Sequence, residues 1–436
     1  MNRTVAAKGP VVIIGAGIAG LVAAREARRQ GRTVELLEGS QSPAGMAASH
    51  RDDDGFIIDV GAHFVTNRFA AALGMAAECR TVHRYGEVVH VDGRPRRYPM
   101  GLLGVPRFVG SALRSRLSGP ASVDNAADWF RNAYGRALAD EVALPLVEAW
   151  SGVPAELLSP AVGDKIPAGL AHTVFLANMA RLSRRAVAIG YCQAQPQSAA
   201  VYHVYPNGGV ARFCEQLALE LGEVITLGAR VETIAVCDNA VVGVRTDDRT
   251  IETDTVIRTA PVNRLADLVQ GTDRLDAYRR FRFRPVIFVN LKLRGRGLLD
   301  DVVVWNPAAD PYFRLTEAPV AMPWLAPEGL TTVSAEIGAE LDDPSWSASD
   351  AELTERCVEA LTRSIADVRS RLIDSVVLRS PIAYPVFLNA YEADRQRLVA
   401  GNLGVRGLHS IGRNGSFDHI LMEDIYWRTK RLVQTL

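Results

Sequence analysis

The stretch VVIIGAGIAG (residues 11–20) predicts a buried strand that turns sharply into a helix. Four consecutive aliphatic residues are typical of a parallel strand covered on both faces. Gly15 permits the tight turn, Gly17 lets the backbone approach a pyrophosphate, and Gly20 lets helix and strand pack closely. The helix N-terminus offers unpaired N–H groups and a partial positive charge to an anion. We therefore predict that a dinucleotide's pyrophosphate lies against Gly15, Ala16, Gly17, Ile18, Ala19 and Gly20.

A carboxylate follows the next predicted strand. The helix is expected over residues 18–29 and the strand over residues 33–37, which completes one β-α-β unit. Glu38 lies 18 residues beyond Gly20, at the end of that strand. A carboxylate at this place accepts hydrogen bonds from the ribose hydroxyls and repels a 2′-phosphate, so NADP is disfavoured. Glu38 and the neighbouring Gly39 are thus predicted cofactor contacts.

The composition of the chain argues against several other classes of protein. Its 436 residues are 48% apolar and 22% charged with no net charge, as in soluble globular proteins and unlike most nucleic-acid binders. The five cysteines stand far apart without a CxxC pair, so neither a metal site nor a disulfide framework is predicted. No run approaches the ~20 apolar residues that cross a bilayer. The expected location is a reducing cytoplasm, with no nucleic-acid partner and no membrane span.

The order of predicted elements indicates an α/β fold with interleaved domains. The α/β rhythm of the first unit stops after residue 59 and resumes near residue 224. Helical stretches lie between them, the last one expected to end at residue 189, and later strand-like runs at 286–293 and 331–337 predict a second sheet. The predicted parts are a Rossmann-type (glutathione-reductase-like) domain at 1–75, 201–265 and 401–436, a substrate or helical cap region at 76–200, and an α+β substrate-domain sheet at 266–400. The region at 76–200 is expected to begin with short strand-like pieces at 88–91 and 96–98.

Further segments spread along the chain follow the glycine turn in a characteristic order. They read AGM (44–46), DVGAH (59–63), YPNGGV (205–210), IRTAP (257–261), IGRNGSF (411–417) and LMED (421–424). These segments resemble motifs of the large flavoprotein group that includes protoporphyrinogen oxidase, monoamine oxidase and UDP-galactopyranose mutase. Two departures from the group's pattern occur: Ala44 replaces the first glycine of the loop, and LMED replaces N-M-D-D.

This resemblance implies that the dinucleotide is FAD. No cysteine follows Cys357, so the flavin is expected to be bound non-covalently. A helix that begins near Met422 is expected to direct N–H groups at N1 and the C2 oxygen of the flavin, where negative charge accumulates on reduction. A backbone contact to the adenine is implied for Val231. The other cofactor contacts that the resemblance implies are Gly45, Met46, Gly61, Ala62, His63, Thr259, Gly412, Arg413 and Glu423.

Three side chains are candidates for the chemistry. In mutase-like members, the histidine at the place of His63 lies against the flavin ring, where a pKa near neutrality suits a hydrogen-bonding or proton-transfer role. A hydrogen-bonded structural histidine is the alternative. Arg413 is expected at the flavin edge or the phosphates, with a domain-closing salt bridge as the alternative. The third candidate is Arg314, and Tyr384 and Tyr391 are predicted to line the substrate pocket, where aromatic walls are usual.

Three functions are open on the sequence alone. The first is an FAD-dependent oxidase or dehydrogenase that transfers a hydride equivalent from a small organic, secondary-metabolite-type substrate to flavin N5. No second dinucleotide turn is present for NAD(P)H, so oxygen or another acceptor is expected to take the electrons. The alternative is an isomerase like UDP-galactopyranose mutase, acting on a nucleotide sugar without net redox. The third is a non-catalytic flavin-binding protein, which the departures at Ala44 and Leu421 motivate.

Overall fold

A five-stranded parallel sheet forms the first layer of the structure, a computed structural model that describes residues 9–61, 63–117, 119, 122–165 and 170–436. Its strands, in spatial order, are Ile225–Leu227, Val34–Glu38, Val11–Ile14, Val256–Arg258 and Leu408–Ser410. Val11–Ile14 lies in the centre and is buried along its whole length. This is the position that its four consecutive aliphatic side chains predict.

Helices cover one face of this nucleotide-binding sheet. Ile18–Arg29 follows the first strand and packs against Met422–Val433 and Ala211–Leu221. All three helices share one apolar core with Val11 and Ile13. The predicted Rossmann-type β-α-β unit is confirmed. Because all five strands are parallel, their carboxyl ends meet along one edge of the sheet, which is where doubly wound folds bind nucleotides.

A smaller hairpin sheet covers the opposite face. Its strands, in spatial order, are Thr250–Glu252, Ala240–Thr246, Val231–Cys237 and Val269–Gln270. Asp238 and Asn239 form the first turn with φ angles of 48° and 56°, which match the right-handed twist of a two-residue hairpin. The apolar side chains of this sheet pack against Val12 and Ile14, the residues of the central strand that point away from the helices.

A seven-stranded mixed sheet is the second large element. Its strands, in spatial order, are Leu372–Val386, Arg282–Arg294, Leu330–Gly338, Arg314–Thr316, Val303–Trp305, Glu87–Val91 and Arg94–Arg97. The helix Asp350–Leu361 packs on one face of it, over a core that includes Val289 and Leu291. The strands predicted at 286–293 and 331–337 are present. The first two strands of the sheet in chain order lie where the strand-like pieces at 88–91 and 96–98 are predicted, and the domain boundaries themselves stay a prediction.

Helices between residues 106 and 183 form most of the insertion. They are Pro106–Leu117, Ala126–Tyr134, Arg136–Leu138, Leu144–Ser151 and Leu170–Ser183, with a π-helical turn at Ala139–Ala143. The last helix ends six residues before the expected residue 189. It ends there because Arg184 takes a left-handed φ of 52° and the amide of Ala186 donates to the carbonyl of Val82 at 3.0 Å.

Short elements connect these layers. The small sheets pair Ser49–Arg51 with Ile57–Asp59, and Val65–Thr66 and Cys79–Thr81 with His203–Pro206. The short helices are Asn67–Leu73, Leu265–Leu268, Ala318–Ala321, Pro344–Ser347, Val368–Arg371, Glu392–Val399 and Gly412–Gly415. Among the described residues, no helix combines the length and the apolar character that crossing a bilayer requires.

Candidate functional site

Two glycines of the turn, Gly15 and Gly20, are in contacts that leave no room for a side chain. Gly15 takes a φ of 103°, and its amide donates to the carbonyl of Leu37 at 2.8 Å. A Cβ at Gly15 would lie 2.4 Å from Oγ1 of Thr259, and a Cβ at Gly20 would lie 1.9 Å from the carbonyl oxygen of Gly15. The helix that begins at Ile18 has no side-chain cap, so its first N–H groups are available to an anion. The turn therefore fits a pyrophosphate.

A second loop lies across this turn. The amide of Ala44 donates to the carbonyl of Ala16 at 3.0 Å, and Ala44 forms an isolated bridge with Gly17. Ala44 has a φ of 117°, a value that favours glycine, so this alanine keeps the backbone of the glycine it replaces. Gly45 follows with a φ of 53°, and Met46 accepts a hydrogen bond on its sulfur from the Ser380 hydroxyl at 3.4 Å. The loop thus connects the turn to the large sheet.

Glu38 stands at the same edge, at the end of its strand. Its carboxylate accepts hydrogen bonds from the amides of Ala16 at 2.6 Å and Ser40 at 2.8 Å. Each oxygen keeps a further lone pair, so hydrogen bonds from ribose hydroxyls are still allowed. Ala16 therefore uses its amide to orient Glu38, a different role from the phosphate contact that the motif predicts. The amide of Gly228 donates to the carbonyl of Ser40 at 2.9 Å, which brings the start of strand Val231–Cys237 beside this edge.

The DVGAH and YPNGGV segments meet through one carboxylate. Asp59 accepts hydrogen bonds from the hydroxyls of Ser49 and Tyr205 and, at 3.1 Å, from the amide of Val210. A Cβ at Gly209 would lie 2.5 Å from Oγ of Ser49, so this packing also needs a glycine. Asp59 thereby holds the segment that leads through Gly61 to His63. Ala62 is a predicted cofactor contact that lies outside the described residues.

The C-terminal motif closes the other side of the turn. A Cβ at Gly412 would lie 2.9 Å from Cβ of Ala19, so this glycine allows close packing on the first helix. The guanidinium of Arg413 stands 5.0 Å from the ring centre of Tyr384, and its Nε has no hydrogen-bond partner among the described residues. Burial lowers the pKa of Arg413. The helix that begins at Met422 also lacks a side-chain cap, as expected for a helix end that faces a bound group.

His63 lies beside two arginines. Its Nε2 donates to the carbonyl of Val60 at 2.9 Å, because a carbonyl can only accept, and Nδ1 of the neutral ring is therefore an acceptor. Burial lowers the pKa of His63; the carboxylate of Asp59 raises it, and the charges of Arg413 and Arg314 lower it further. The net result is a pKa below the ordinary value. The imidazole is thus neutral at pH 7, with one basic nitrogen free.

Arg314 is held by a buried carboxylate. Its Nε and Nη2 donate to Glu336 Oε1 at 2.8 and 2.6 Å, and Glu336 is only 1% exposed. Burial alone would lower the pKa of Arg314, but Glu336 raises it above the ordinary value. The Tyr384 hydroxyl lies 3.4 Å from both partners. Arg314 also stands over the ring of Trp305 at 5.1 Å, so its position is fixed from two sides.

Several residues of this site were missed on the sequence. Glu336 is one, and a charged residue inside the buried strand Leu330–Gly338 was the available signal. Glu87 is another: it accepts hydrogen bonds from the Tyr85 hydroxyl and, at 2.7 Å, from Nε1 of Trp305. Burial raises the pKa of Tyr85 well above its ordinary value. Nothing local in the sequence marks Glu87 as a partner of Trp305, because the large sheet brings these two residues together from distant parts of the chain.

Some predicted site residues have other roles. Tyr391 is wrong as a pocket residue: it is 2% exposed, its hydroxyl donates to the Val386 carbonyl, and its ring stacks on Phe281. The carboxylate of Glu423 is also turned away from the site, since Thr66 and Arg68 donate to it. Thr259 supports the turn through its hydroxyl, which donates to the carbonyl of Ile14 at 3.2 Å. For Thr259 and Glu423, a direct cofactor contact stays a prediction.

The structure brings most of the predicted residues into one region. The turn at 15–20, Glu38, the loop at 44–46, His63, Arg413 and the start of the helix at Met422 surround the edge of the nucleotide-binding sheet. Two observations fit an elongated anionic cofactor there: the helix ends are uncapped and glycines provide the close approach. Arg314, Tyr384 and Glu336 form the wall contributed by the large sheet.

The sequence profile of the flavin-containing amine oxidoreductases matches residues 18–423. A search of curated proteins found no match. Among solved structures, reduced UDP-galactopyranose mutase has a TM-score of 0.79 and 19% identity, over 98% of this chain and 95% of that chain. Cyclohexylamine oxidase from Brevibacterium oxydans has a TM-score of 0.70 and 15% identity, over 98% of both chains. A redesigned putrescine oxidase has a TM-score of 0.69 and 16% identity, also over 98% of both chains.

Proposed function

The chain belongs to the family of flavin-containing amine oxidoreductases, and on that premise we propose that it oxidises a small organic molecule with a non-covalently bound FAD. The flavin, when bound, accepts a hydride equivalent at N5. The observation that carries the proposal is His63: a half-buried, neutral imidazole whose Nδ1 is available as a base. It lies near the guanidinium of Arg413, whose Nε has no hydrogen-bond partner among the described residues. A site with this pair can take a proton from a substrate and balance a negative charge.

Different residues of the chain would bind different parts of the cofactor and the substrate. The turn at 15–20 and the uncapped helix after it would hold the pyrophosphate, Glu38 the ribose, and the helix N-terminus at Met422 the pyrimidine edge of the flavin. Tyr384 and Arg314 form a polar and aromatic wall for the substrate. His63 Nδ1 would accept the proton of the substrate's N–H or O–H group.

Lys292 cannot act as the catalytic base, although it lies in the long strand Arg282–Arg294. Lys292 is 3% exposed, and its ammonium pairs with Asp52 at 2.6 Å and Asp374 at 3.0 Å. The two carboxylates hold its pKa above the ordinary value, although burial alone would lower it. A lysine held in the charged form cannot accept a proton. This leaves His63 as the proposed base of the site.

The experiment is an anaerobic bleaching screen. Purified FAD-loaded protein is mixed with amines, cyclic alkenes and alcohols, and the flavin absorbance is followed before air is admitted. We expect one substrate class to bleach the flavin, with hydrogen peroxide formed on reoxidation. His63→Gln should slow bleaching by roughly 10²–10⁴-fold, while the exposed His50→Gln should not. Bleaching that is unchanged in the His63 variant would contradict the assigned role.

A mutase is the second candidate. The observations that favour it are the TM-score of 0.79 with a UDP-galactopyranose mutase and two arginines near one histidine, since guanidinium groups bind phosphates well. The same protein, reduced with dithionite, is incubated with nucleotide sugars. Isomerisation without peroxide in aerobic controls would favour this candidate over the oxidase. Bleaching by a substrate in the absence of dithionite would exclude it as the main activity.

A further inference from the structure

A small cavity lies behind the segment that carries His63. Its volume is about 30 Å³. One side of it is formed by residues 57–59, Gly61, His63 and Phe64. The other side is formed by Thr316, Thr332 and Ser334 of the large sheet and by Ala318, Pro319, Met322 and Leu325. Most of the wall is apolar. The polar groups in the wall are those of Asp59, His63, Tyr205, Thr316, Thr332 and Ser334.

Two of these polar groups are buried without partners. Thr316 is 3% exposed and Thr332 is 5% exposed. The Oγ1 atom of neither residue has a hydrogen-bond partner in the described part of the chain. An unpaired hydroxyl in the interior is unfavourable, and proteins usually satisfy such a group with an ordered water. A water needs a cavity of at least about 10–15 Å³ and two to four polar partners, and this cavity provides both.

The nearby charges explain what such a water would do. Three charged groups face His63: Asp59 on its own segment, Arg314 on the large sheet and Arg413 on the C-terminal motif. Burial and the two arginines oppose a charge on the imidazole, whereas Asp59 and the hydrogen bond to the Val60 carbonyl favour one. The carboxylate of Asp59 already accepts hydrogen bonds from the hydroxyls of Ser49 and Tyr205 and from the amide of Val210. A further dipole on the cavity side would therefore assist a base that must become cationic during turnover.

We propose that the cavity binds at least one water molecule, held by the hydroxyls of Thr316 and Thr332, and that this water stabilises the imidazole of His63 when it carries a proton. Thr316 and Thr332 are positioning residues in this proposal, since they act on His63 through the water. The water site does not depend on the proposed function. Only the statement that His63 takes a proton in turnover rests on it.

The first test is a high-resolution crystal structure of the FAD-loaded protein. We expect a water within about 2.7–3.2 Å of both threonine hydroxyls. In Thr316→Val/Thr332→Val, methyl groups replace the hydroxyls with little change of shape, and the water should be lost. Thr316→Ser/Thr332→Ser keeps both hydroxyls and should keep the water. If the double valine variant does not fold, each single valine variant replaces it. A wild-type cavity without water, in a map that shows other interior waters, would overturn the proposal.

The second test is the titration of His63, followed by NMR with isotope-labelled histidine and assigned with His63→Gln. Loss of the water removes a dipole that favours the charged imidazole, so the midpoint should be lower in the valine variant than in the wild type. The serine variant should titrate like the wild type. An unchanged midpoint in the valine variant would overturn the role given to the water. Neither readout needs turnover, so a failure of the proposed function alone would leave both expected results in place.

Discussion

The glycine turn and the wall around Arg314 are built by opposite means. At the turn, the backbone forms the site. Glycines allow contacts that any Cβ would block, and uncapped helix N-termini provide a partial positive charge. In the wall, side chains form the site: Glu336 is buried, Arg314 is half-buried, and the two form an ion pair. The first kind of site tolerates almost no change of residue size. The second tolerates changes of size but no loss of charge balance.

This difference also decides what each region binds. Backbone N–H groups and helix ends suit a pyrophosphate, which is common to all dinucleotides. Side chains on a sheet can be exchanged one at a time, which suits a substrate that differs between relatives. The region around His63 is where the two kinds of construction meet, because its segment is anchored by Asp59 on one side and faces the arginines on the other.

The largest expected effect is at Gly20. A Cβ there would lie 1.9 Å from the carbonyl oxygen of Gly15, so the turn in Gly20→Ala must open. We expect a loss of more than about 3 kcal/mol in FAD binding, over roughly a hundredfold in affinity. FAD titration followed by fluorescence measures this. The matched control is Gly110→Ala in an exposed helix, where the added Cβ meets nothing within 4 Å. Equal FAD affinity of both variants would show that the turn does not hold the cofactor.

The next effect is at Glu336. Glu336→Gln leaves the half-buried guanidinium of Arg314 without its counter-charge, and breaking a buried ion pair destabilises a protein by up to roughly 3–5 kcal/mol. Urea unfolding at pH 7 measures the change in free energy. Glu355→Gln is the control, because Glu355 and its partner Arg369 are 59% and 55% exposed and such surface pairs contribute at most about 1 kcal/mol. Similar losses in the two variants would contradict the dependence of Arg314 on Glu336.

A pH effect of similar or smaller size is expected at His203, which is buried against the rings of Phe64, Tyr85 and Tyr191. Burial lowers the pKa of His203 to about 4, whereas its value in the unfolded chain is about 6.5. The unfolded state therefore binds the proton first, and stability falls as pH decreases from about 6.5 to about 4, by roughly 3 kcal/mol in total. Urea unfolding across this pH range measures the slope. His203→Gln should flatten it, and a slope that stays the same would assign it to other groups.

The smallest effect is expected at Ala44, in the loop that lies across the turn. Ala44 holds a φ of 117°, so Ala44→Gly should relieve strain and stabilise the protein by about 1 kcal/mol. Ala48 has a φ of −74°, and Ala48→Gly should destabilise it by roughly 0.5–1 kcal/mol, because glycine only adds freedom to the unfolded chain. Thermal unfolding of both variants measures the opposite signs. Two destabilised variants would mean that the loop does not need glycine's conformation.

The region around the glycine turn, residues 11–38, could be predicted well from the sequence. The strand, turn, helix and carboxylate of residues 11–38 follow each other within one continuous segment, and each has a residue type that its geometry requires. Tyr391 shows where such reasoning fails. An aromatic residue with a polar group suits both a pocket and a core, and only the packing on Phe281 and the bond to Val386 decide between them.

The wall around Arg314 could be predicted from the sequence only in part. Arg314, Tyr384 and Arg413 were predicted site residues, and the structure brings them together. Glu336 and Glu87 were not predicted, although they supply the carboxylates of the wall. Their partners stand 22 and 218 residues away along the chain. Pairings at that distance depend on strand order and register in the large sheet, which local patterns of residues do not determine.

The central claim is that FAD is seated by the glycine turn without a covalent bond. The most direct measurement is the visible spectrum of the purified protein incubated with FAD and then freed of unbound cofactor, before and after denaturation. We predict a flavin spectrum in the folded wild type, full release of the flavin on denaturation, and no flavin in Gly20→Ala. A folded wild-type protein that stays colourless after incubation with FAD would contradict the account.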